Sequence, residues 1–263
     1  MSQPVTPRCT TRSSAGSASD PASPTSPSKS RPKSTPRRQL IPAAAKEEGE
    51  DERSTINALL EALPGRRAQA SDLLRLLAPA PALPLLLYGG AATGKTRALL
   101  LALRHIRPRP RRVAYAALRS LPSPRALFAS LLSQLSPPSS SSASSRQRVP
   151  DKPSDFVAAL RDALATLCAQ GESVYLVFDN LEVVRSWDKG GQLLALILRL
   201  HDLLRLPQVV LVYVSSATPD AYYSMTGSVE PNHIYFPDYT VDEVRDILMR
   251  GHPNPKLYTS FLR

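Results

Sequence analysis

Short apolar runs alternate with longer amphipathic stretches along the chain from Pro84 onward. The runs are rich in Val, Leu, Ile and Tyr, and short runs of this kind between turn residues are typical of buried strands. The predicted strands are Leu85–Tyr88, Arg112–Ala116, Val174–Phe178, Val209–Val214 and Ile234–Phe236.

The stretches between these strands carry apolar residues at helical spacing. In one of them Phe156, Leu160, Leu164 and Leu167 fall on a single helix face. A repeated order of strand, helix and strand predicts an α/β fold, with a mostly parallel five-stranded sheet flanked by helices. The predicted helices are Lys95–Ile106, Arg125–Leu135, Asp155–Ala169 and Gln192–Leu204.

The chain before this pattern has a different composition. Residues 1–52 are rich in Ser, Pro, Thr and Arg and lack aromatic residues, so they cannot bury enough apolar surface to offset the entropy of ordering. We therefore predict a disordered basic tail at 1–52, a folded core at 53–238 and the start of an incomplete helical lid at 239–263. Within the core, the Pro- and Ser-rich residues 136–150 are predicted to form a low-complexity insertion.

The charge of the chain favours polyanionic partners. Basic residues exceed acidic ones by 11, and the pI is near 10.0. Residues 1–40 alone contain seven Lys or Arg residues against one acid, Asp20. A segment of this kind points to nucleic acid as a partner.

Cysteine content and hydropathy narrow the class of protein further. Cys9 and Cys168 provide no disulfide framework and suit a reducing compartment, and Cys168 is predicted to lie in the core. The longest apolar runs, such as Leu85–Tyr88, are far shorter than the ~18 residues that a membrane span needs. These features predict a soluble intracellular protein with no membrane partner.

A glycine-rich segment lies between the first predicted strand and the helix that follows it. Its spacing of Gly, four residues, Gly, Lys and Thr is that of a P-loop, in which backbone N–H groups and the helix N-terminus bind phosphates. Lys95 is predicted to reach the β and γ phosphates of ATP, and Thr96 to ligate Mg²⁺. The predicted nucleotide-binding residues are Gly89, Gly90, Ala91, Ala92, Thr93, Gly94, Lys95 and Thr96.

A second strand of a P-loop protein ends in an acid that helps to hold Mg²⁺, and Asp179 follows the apolar run Val174–Phe178. An acid can also end a strand without any such role. Asn180 stands where hydrolysing enzymes place a glutamate, and an amide cannot act as a base at neutral pH. Glu182 is a weak candidate for a substitute catalytic base, and the alternative is a solvated loop carboxylate.

Three further side chains have both a functional and a structural interpretation. Ser216 follows the fourth strand, where it either senses the γ-phosphate or forms a local turn. Arg199 and Arg205 either reach the phosphates of a neighbouring subunit or extend to solvent at the rim of a buried helix. Trp187 and the four histidines form no metal-like spacing and are interpreted as structural. The histidines are His105, His201, His233 and His252.

Together these segments resemble the AAA+ proteins of the initiator and origin-recognition group. The resemblance covers about residues 64–263, and Ile234–Thr240, which leads from the last strand towards a lid, is its most specific part. Thr240 and Glu243 are predicted to form a capping box at the first lid helix. Three other segments are similar to the group, namely Pro64–Gln69, Leu86–Thr96 and Asp179–Glu182.

The resemblance implies an ATP-binding subunit of the nuclear origin recognition complex. Such a subunit would bind other subunits of that complex, stabilise a ring-like assembly on double-stranded origin DNA and act in DNA replication initiation. Members of the group continue into a full lid and a winged-helix-type domain, so an end at Arg263 implies a truncated form. Two rival hypotheses are an active AAA+ ATPase of the loader or remodeller type, and a DNA-binding protein that acts through its basic tail.

Overall fold

The computed structural model describes residues 54, 57, 61–77, 83–106, 111–136, 149–188 and 190–251. These all belong to the larger of two compact units, Ala43–Arg263. The predicted tail at 1–52, most of the insertion predicted at 136–150, and the lid beyond residue 251 lie outside the described residues. Among the described helices, none has the length and apolar character needed to cross a membrane.

The strands form one five-stranded sheet in the order β2-β3-β4-β1-β5. Every neighbouring pair is parallel, which confirms the predicted sheet. The carboxyl ends of β1, β3 and β4 therefore lie side by side at one edge of the sheet, where ligands of open α/β sheets bind. The strands are β1 (Leu85–Gly89), β2 (Arg111–Ala117), β3 (Ser173–Asp179), β4 (Val209–Ser215) and β5 (Asn232–Phe236).

Helices cover both faces of the sheet. Apolar residues of α1 and α2 pack on one face against β1, β4 and β5, whereas α3, α4, α6 and α7 pack on the other face. Cys168 is buried in this second cluster, as predicted. The helices are α1 (Arg67–Leu77), α2 (Lys95–His105), α3 (Pro124–Leu135), α4 (Pro153–Ala169), α5 (Val184–Trp187), α6 (Gln192–Leu198), α7 (Leu200–Leu204) and α8 (Val241–Gly251).

Two features of the helices differ from the sequence prediction. The helix predicted for Gln192–Leu204 is wrong as one element, because the backbone leaves helical geometry at Arg199 and separates α6 from α7. The Arg199 side chain at this break donates from Nε to the carbonyl oxygen of Met225 at 3.3 Å. Helix α1 was not predicted, although Ala70, Leu73 and Leu77 form a buried stripe at helical spacing.

Capping residues set the start of two helices. Ser123 accepts a hydrogen bond from the backbone N–H of Ala126 at the start of α3, and Pro124 occupies the first turn. At α8, the backbone N–H of Thr240 donates to Glu243 and the N–H of Glu243 donates to the Thr240 hydroxyl. This reciprocal pair confirms the predicted capping box.

Candidate functional site at the carboxyl edge of the sheet

The glycine-rich segment joins the end of β1, which lies between β4 and β5 in the sheet, to the start of α2. Lys95, the first residue of α2, folds back over the segment, where its Nζ donates to the carbonyl oxygens of Gly89 at 2.9 Å and Gly90 at 2.6 Å. The Thr93 hydroxyl also donates to the Gly90 carbonyl at 3.0 Å. The ammonium group is thus held within the loop.

The backbone of this loop has a positive φ at three positions, Gly89, Ala92 and Gly94. Gly94 has φ 87°, which favours glycine, and Ala92 has φ 59° although it carries a side chain. Because Gly94 directly precedes α2, the N-terminal N–H groups of the helix face the loop. The loop therefore combines a helix N-terminus with a lysine ammonium group, which is the chemistry of a phosphate site.

Burial lowers the pKa of Lys95, because desolvation disfavours its charged form. The carboxylates of Glu182, Asp179 and Asp238 act in the opposite direction, while Arg66 adds to the lowering. An anionic ligand in the loop would favour the charged ammonium in the same way as these carboxylates.

Asp179 ends β3 beside the glycine-rich loop, and the residue is 5% exposed. The Thr96 hydroxyl donates to Asp179 Oδ2 at 3.0 Å. The Tyr115 hydroxyl donates to the same oxygen at 2.5 Å. Burial raises the pKa of Tyr115, and the hydrogen bond to Asp179 raises it further. The structure thus brings together the two predicted magnesium-holding residues, Thr96 and Asp179, and adds Tyr115, which the sequence did not single out.

Asn180 follows Asp179 in the left-handed region, with φ 61° and ψ 52°. Asparagine tolerates this conformation better than most residues, since its short polar side chain can hydrogen-bond locally. The residue therefore has a conformational role in the turn that leads from β3 into Leu181–Val183.

Glu182 and Ser216, predicted as candidate base and candidate sensor, contact each other. The Ser216 hydroxyl donates to Glu182 Oε1 at 2.7 Å, while the Ser216 N–H and the Ser215 hydroxyl donate to Oε2. Burial raises the pKa of Glu182, but these hydrogen bonds outweigh it and leave the pKa below its ordinary value. A carboxylate with a lowered pKa is a weaker proton acceptor, and this one is engaged on both oxygens.

Arg66 is another residue that sequence reasoning did not assign to the site. It is 1% exposed, and it donates from Nε to the carbonyl of Thr93 at 3.1 Å and from Nη2 to the carbonyl of Pro237 at 2.6 Å. Its guanidinium lies 3.8 Å from the ring centroid of Tyr239. Arg66 thus ties the glycine-rich loop to the segment between β5 and α8. The cue in the sequence was an arginine directly before an apolar helix.

The segment after β5 approaches the glycine-rich loop closely. A Cβ atom on Gly90 would lie 2.6 Å from Asp238 Oδ1, and one on Gly94 would lie 2.7 Å from the Tyr239 hydroxyl. Both distances are too short for a real Cβ contact. A side chain at either position would require the Asp238 or Tyr239 side chain to move, and at Gly94 the positive φ of 87° would add backbone strain.

The remaining candidates lie outside this cluster. Arg205, in the left-handed region at the end of α7, donates to the carbonyl of Asp202. Trp187 ends α5, and Arg199 lies between α6 and α7. Neither residue takes part in the hydrogen bonds described above for Lys95 and Asp179. Within the described ranges, no cluster of three or more His, Cys, Asp or Glu side chains could hold a metal ion. His252 lies outside the described residues.

The glycine-rich loop, Lys95, Thr96 and Asp179 have the chemistry needed to bind a magnesium-bound nucleoside triphosphate. Hydroxyl and carboxylate oxygens at Thr96 and Asp179 are the hard ligands that Mg²⁺ prefers. The loop and Lys95 supply donors for phosphate oxygens. When bound, the ion would neutralise phosphate charge, and the chain would hold it through Thr96 and Asp179.

The chain is similar in sequence to known proteins. Residues 62–212 match the family model described as AAA ATPase domain. The chain is 79% identical to origin of replication complex subunit 5 of Oryza sativa subsp. indica, over all of this chain and 50% of that protein. A protein of Oryza sativa subsp. japonica named subunit 1 matches equally well. Arabidopsis thaliana subunit 5 is 39% identical over 81% of this chain and 43% of its own length.

The fold has counterparts among solved structures. One is a structure of Drosophila ORC bound to DNA, with a TM-score of 0.59, 23% identity and coverage of 75% of this chain and 49% of that chain. The chain spans about half the length of the curated relatives it matches. With the family model matched over more than half of its residues and with these relatives, the chain belongs to the AAA ATPase domain family and, within it, to the origin recognition complex subunits of the subunit 5 group.

Proposed function

We propose that this chain is an ATP-binding part of an origin recognition complex subunit, and that it holds ATP·Mg²⁺ rather than turning it over. The observation that supports the proposal most directly is the joint placement of Lys95 in the glycine-rich loop and of Thr96 on the Asp179 carboxylate. These contacts support a phosphate-binding role for Lys95 and a magnesium-binding role for Thr96 and Asp179.

Slow turnover is inferred from what surrounds Asp179. The next residue, Asn180, carries an amide that cannot accept a proton from water at neutral pH. Glu182 is the nearest candidate for a base, but Ser215 and Ser216 donate to its oxygens and lower its pKa. Loss of a general base lowers the rate by ~10²–10⁴-fold. Bound ATP would then persist as a structural element.

At the level of the complex, we propose that bound nucleotide stiffens a ring-like assembly of origin recognition complex subunits on double-stranded DNA in the nucleus. The names of the plant relatives support the proposal that other origin recognition complex subunits are partners. The basic charge of the chain supports the proposal of contact with DNA. This chain spans about half the length of the relatives whose names support this role.

The test separates binding of ATP from its hydrolysis. Binding of ATP·Mg²⁺ to the purified chain is measured by calorimetry, and hydrolysis by single-turnover kinetics with and without partner subunits. We expect Lys95→Ala to abolish binding, and Asn180→Ala to leave it nearly unchanged because an amide contributes no charge to the metal site. Absence of binding to the wild-type chain would refute the proposal. Several turnovers per minute would instead support an active ATPase, with Glu182 the first residue to replace.

A further inference from the structure

Tyr115 lies on the outer strand β2, and its phenol hydroxyl reaches the carboxylate of Asp179. Strand β2 is an edge strand, and its register pairs Tyr115 with Val177 and Ala117 with Asp179. The Tyr115 side chain therefore spans two residues along the strand direction before its hydroxyl donates to Asp179 Oδ2 at 2.5 Å. A short hydrogen bond to an ionised acceptor is a strong one.

Asp179 is consequently held by donors from two different elements. Thr96 donates from the first turn of α2, and Tyr115 donates from β2. Asp179 as a residue is only 5% exposed, so solvent does little to hold the orientation of its carboxylate. If Thr96 turns its oxygen towards a metal ion, the Tyr115 hydroxyl remains as a donor that fixes the carboxylate plane.

The backbone of Tyr115 is itself fixed by a side chain. Gln134 on α3 accepts from the Tyr115 N–H at 2.9 Å and donates to the Tyr115 carbonyl at 3.0 Å. On the open side of an edge strand these groups have no neighbouring strand to pair with, and the Gln134 amide takes that place. Gln134 also donates to the carbonyl of Ser130 one turn earlier, which orients the amide.

We propose that Tyr115 is a positioning residue for the magnesium ion that accompanies bound ATP, with Gln134 holding Tyr115 in place. The Tyr115 hydroxyl keeps the Asp179 carboxylate in the orientation that the ion requires, and it touches neither nucleotide nor metal. The inference rests on the proposed function, since it concerns how this site binds its metal.

The test is the magnesium dependence of ATP binding to Tyr115→Phe, which removes only the hydroxyl. Calorimetric titrations of ATP are carried out with the full chain in excess EDTA and at a series of Mg²⁺ concentrations. We expect the affinity in EDTA to stay unchanged, because Lys95 and the loop are intact. We expect the Mg²⁺ concentration that gives half of the magnesium-dependent gain to rise about tenfold, as for loss of one hydrogen bond to a charged group.

Two further variants separate positioning from general stability. Tyr223→Phe removes a hydroxyl from an exposed tyrosine whose ring contacts His233 and not Asp179 or Thr96, and it should leave both titrations unchanged. Gln134→Leu removes the amide from an exposed position and should shift the Mg²⁺ midpoint in the same direction as Tyr115→Phe, by a smaller factor. If Tyr115→Phe lowers the yield of folded protein, Gln134→Leu still tests the positioning role of Tyr115.

The outcomes distinguish the two proposals. If the wild-type chain binds no ATP, the proposed function fails. If the wild-type chain shows magnesium-dependent binding and both Tyr115→Phe and Gln134→Leu match it, the positioning role is overturned while the proposed function stands. An equal loss of affinity in EDTA and in Mg²⁺ also overturns it, because the hydroxyl would then support the fold rather than the metal.

Discussion

The hydrogen-bond partners of each charged residue at the carboxyl ends of the strands determine the role that the residue can take. Asp179, Glu182 and Lys95 are all charged and partly or fully buried, yet each has different donors or acceptors around it. Asp179 is held by hydroxyls from two elements, and Glu182 is held by consecutive serines. A buried charge without such partners would cost several kcal/mol. The different roles that we propose for Asp179 and Glu182 therefore rest on the different donors around each carboxylate.

Glu182 should make the stability of the chain depend on acid pH. Its folded-state pKa lies below its ordinary value of 4.5, so it contributes stability that is present above that value and is lost as pH falls through the lower folded value. We expect Glu182→Gln to lower the Tm at neutral pH by about 2–4 °C. The difference from wild type should shrink as the pH falls below 4.5. Thermal unfolding across pH measures it, and a pH-independent difference would contradict this assignment.

The sequence predicted the residues of the site better than their contacts. The P-loop spacing identified Lys95 and Thr96, and a strand ending in an acid identified Asp179. Tyr115 was passed over because its role depends on the pairing of β2 with β3, which is distant in sequence. The interaction of Ser216 with Glu182 likewise joins two loops that only the order of strands brings together.

Strands and helices were predicted correctly where the spacing of apolar residues indicated one type of element. All five strands were identified from apolar runs: β1, β3 and β4 are almost fully buried, and the outer strands β2 and β5 still bury part of their residues. The break between α6 and α7 was missed because leucines continue through it. Helix α1 was missed although its stripe is regular, because its first residues were interpreted only as part of a family resemblance.

Arg66 links three elements, and its replacement should weaken the domain. It joins the glycine-rich loop, the end of β5 and the start of α1 through hydrogen bonds to Thr93 and Pro237. Arg66→Lys keeps the charge but loses the planar fork that reaches both carbonyls. We expect the free energy of unfolding to fall by about 1–3 kcal/mol, the cost of leaving buried polar groups unsatisfied.

Urea unfolding of the purified chain measures this change. The exposed neighbour Arg67 provides a matched control, and Arg67→Lys should leave the transition midpoint unchanged. Equal midpoints for Arg66→Lys and wild type would show that the two carbonyls find other donors, and the link between the loop and the β5–α8 segment would then lie elsewhere.

At the scale of the whole molecule, the candidate nucleotide-binding residues lie at the carboxyl ends of the strands, whereas much of the basic charge lies in the first 40 residues of the sequence. The nucleotide candidates lie at the ends of β1, β3 and β4. Residues 1–40 carry seven basic residues and one acid, and their placement lies outside the described residues. Nucleotide binding and DNA binding are therefore expected to respond to different substitutions.

Replacement of basic residues in the tail should change DNA binding without changing ATP binding. In the full chain, Arg31, Lys33, Arg37 and Arg38 are changed together to Gln, and binding to a duplex of arbitrary sequence is measured by anisotropy at several salt concentrations. Each neutralised phosphate adds about −0.9 to the slope of log K against log salt, so the slope should become shallower by that amount for every phosphate that the variant no longer binds. A matched variant carries the same number of changes on exposed arginines of the described core, Arg67, Arg75, Arg104 and Arg119. If only this core variant flattens the slope, the folded core rather than the tail contacts DNA.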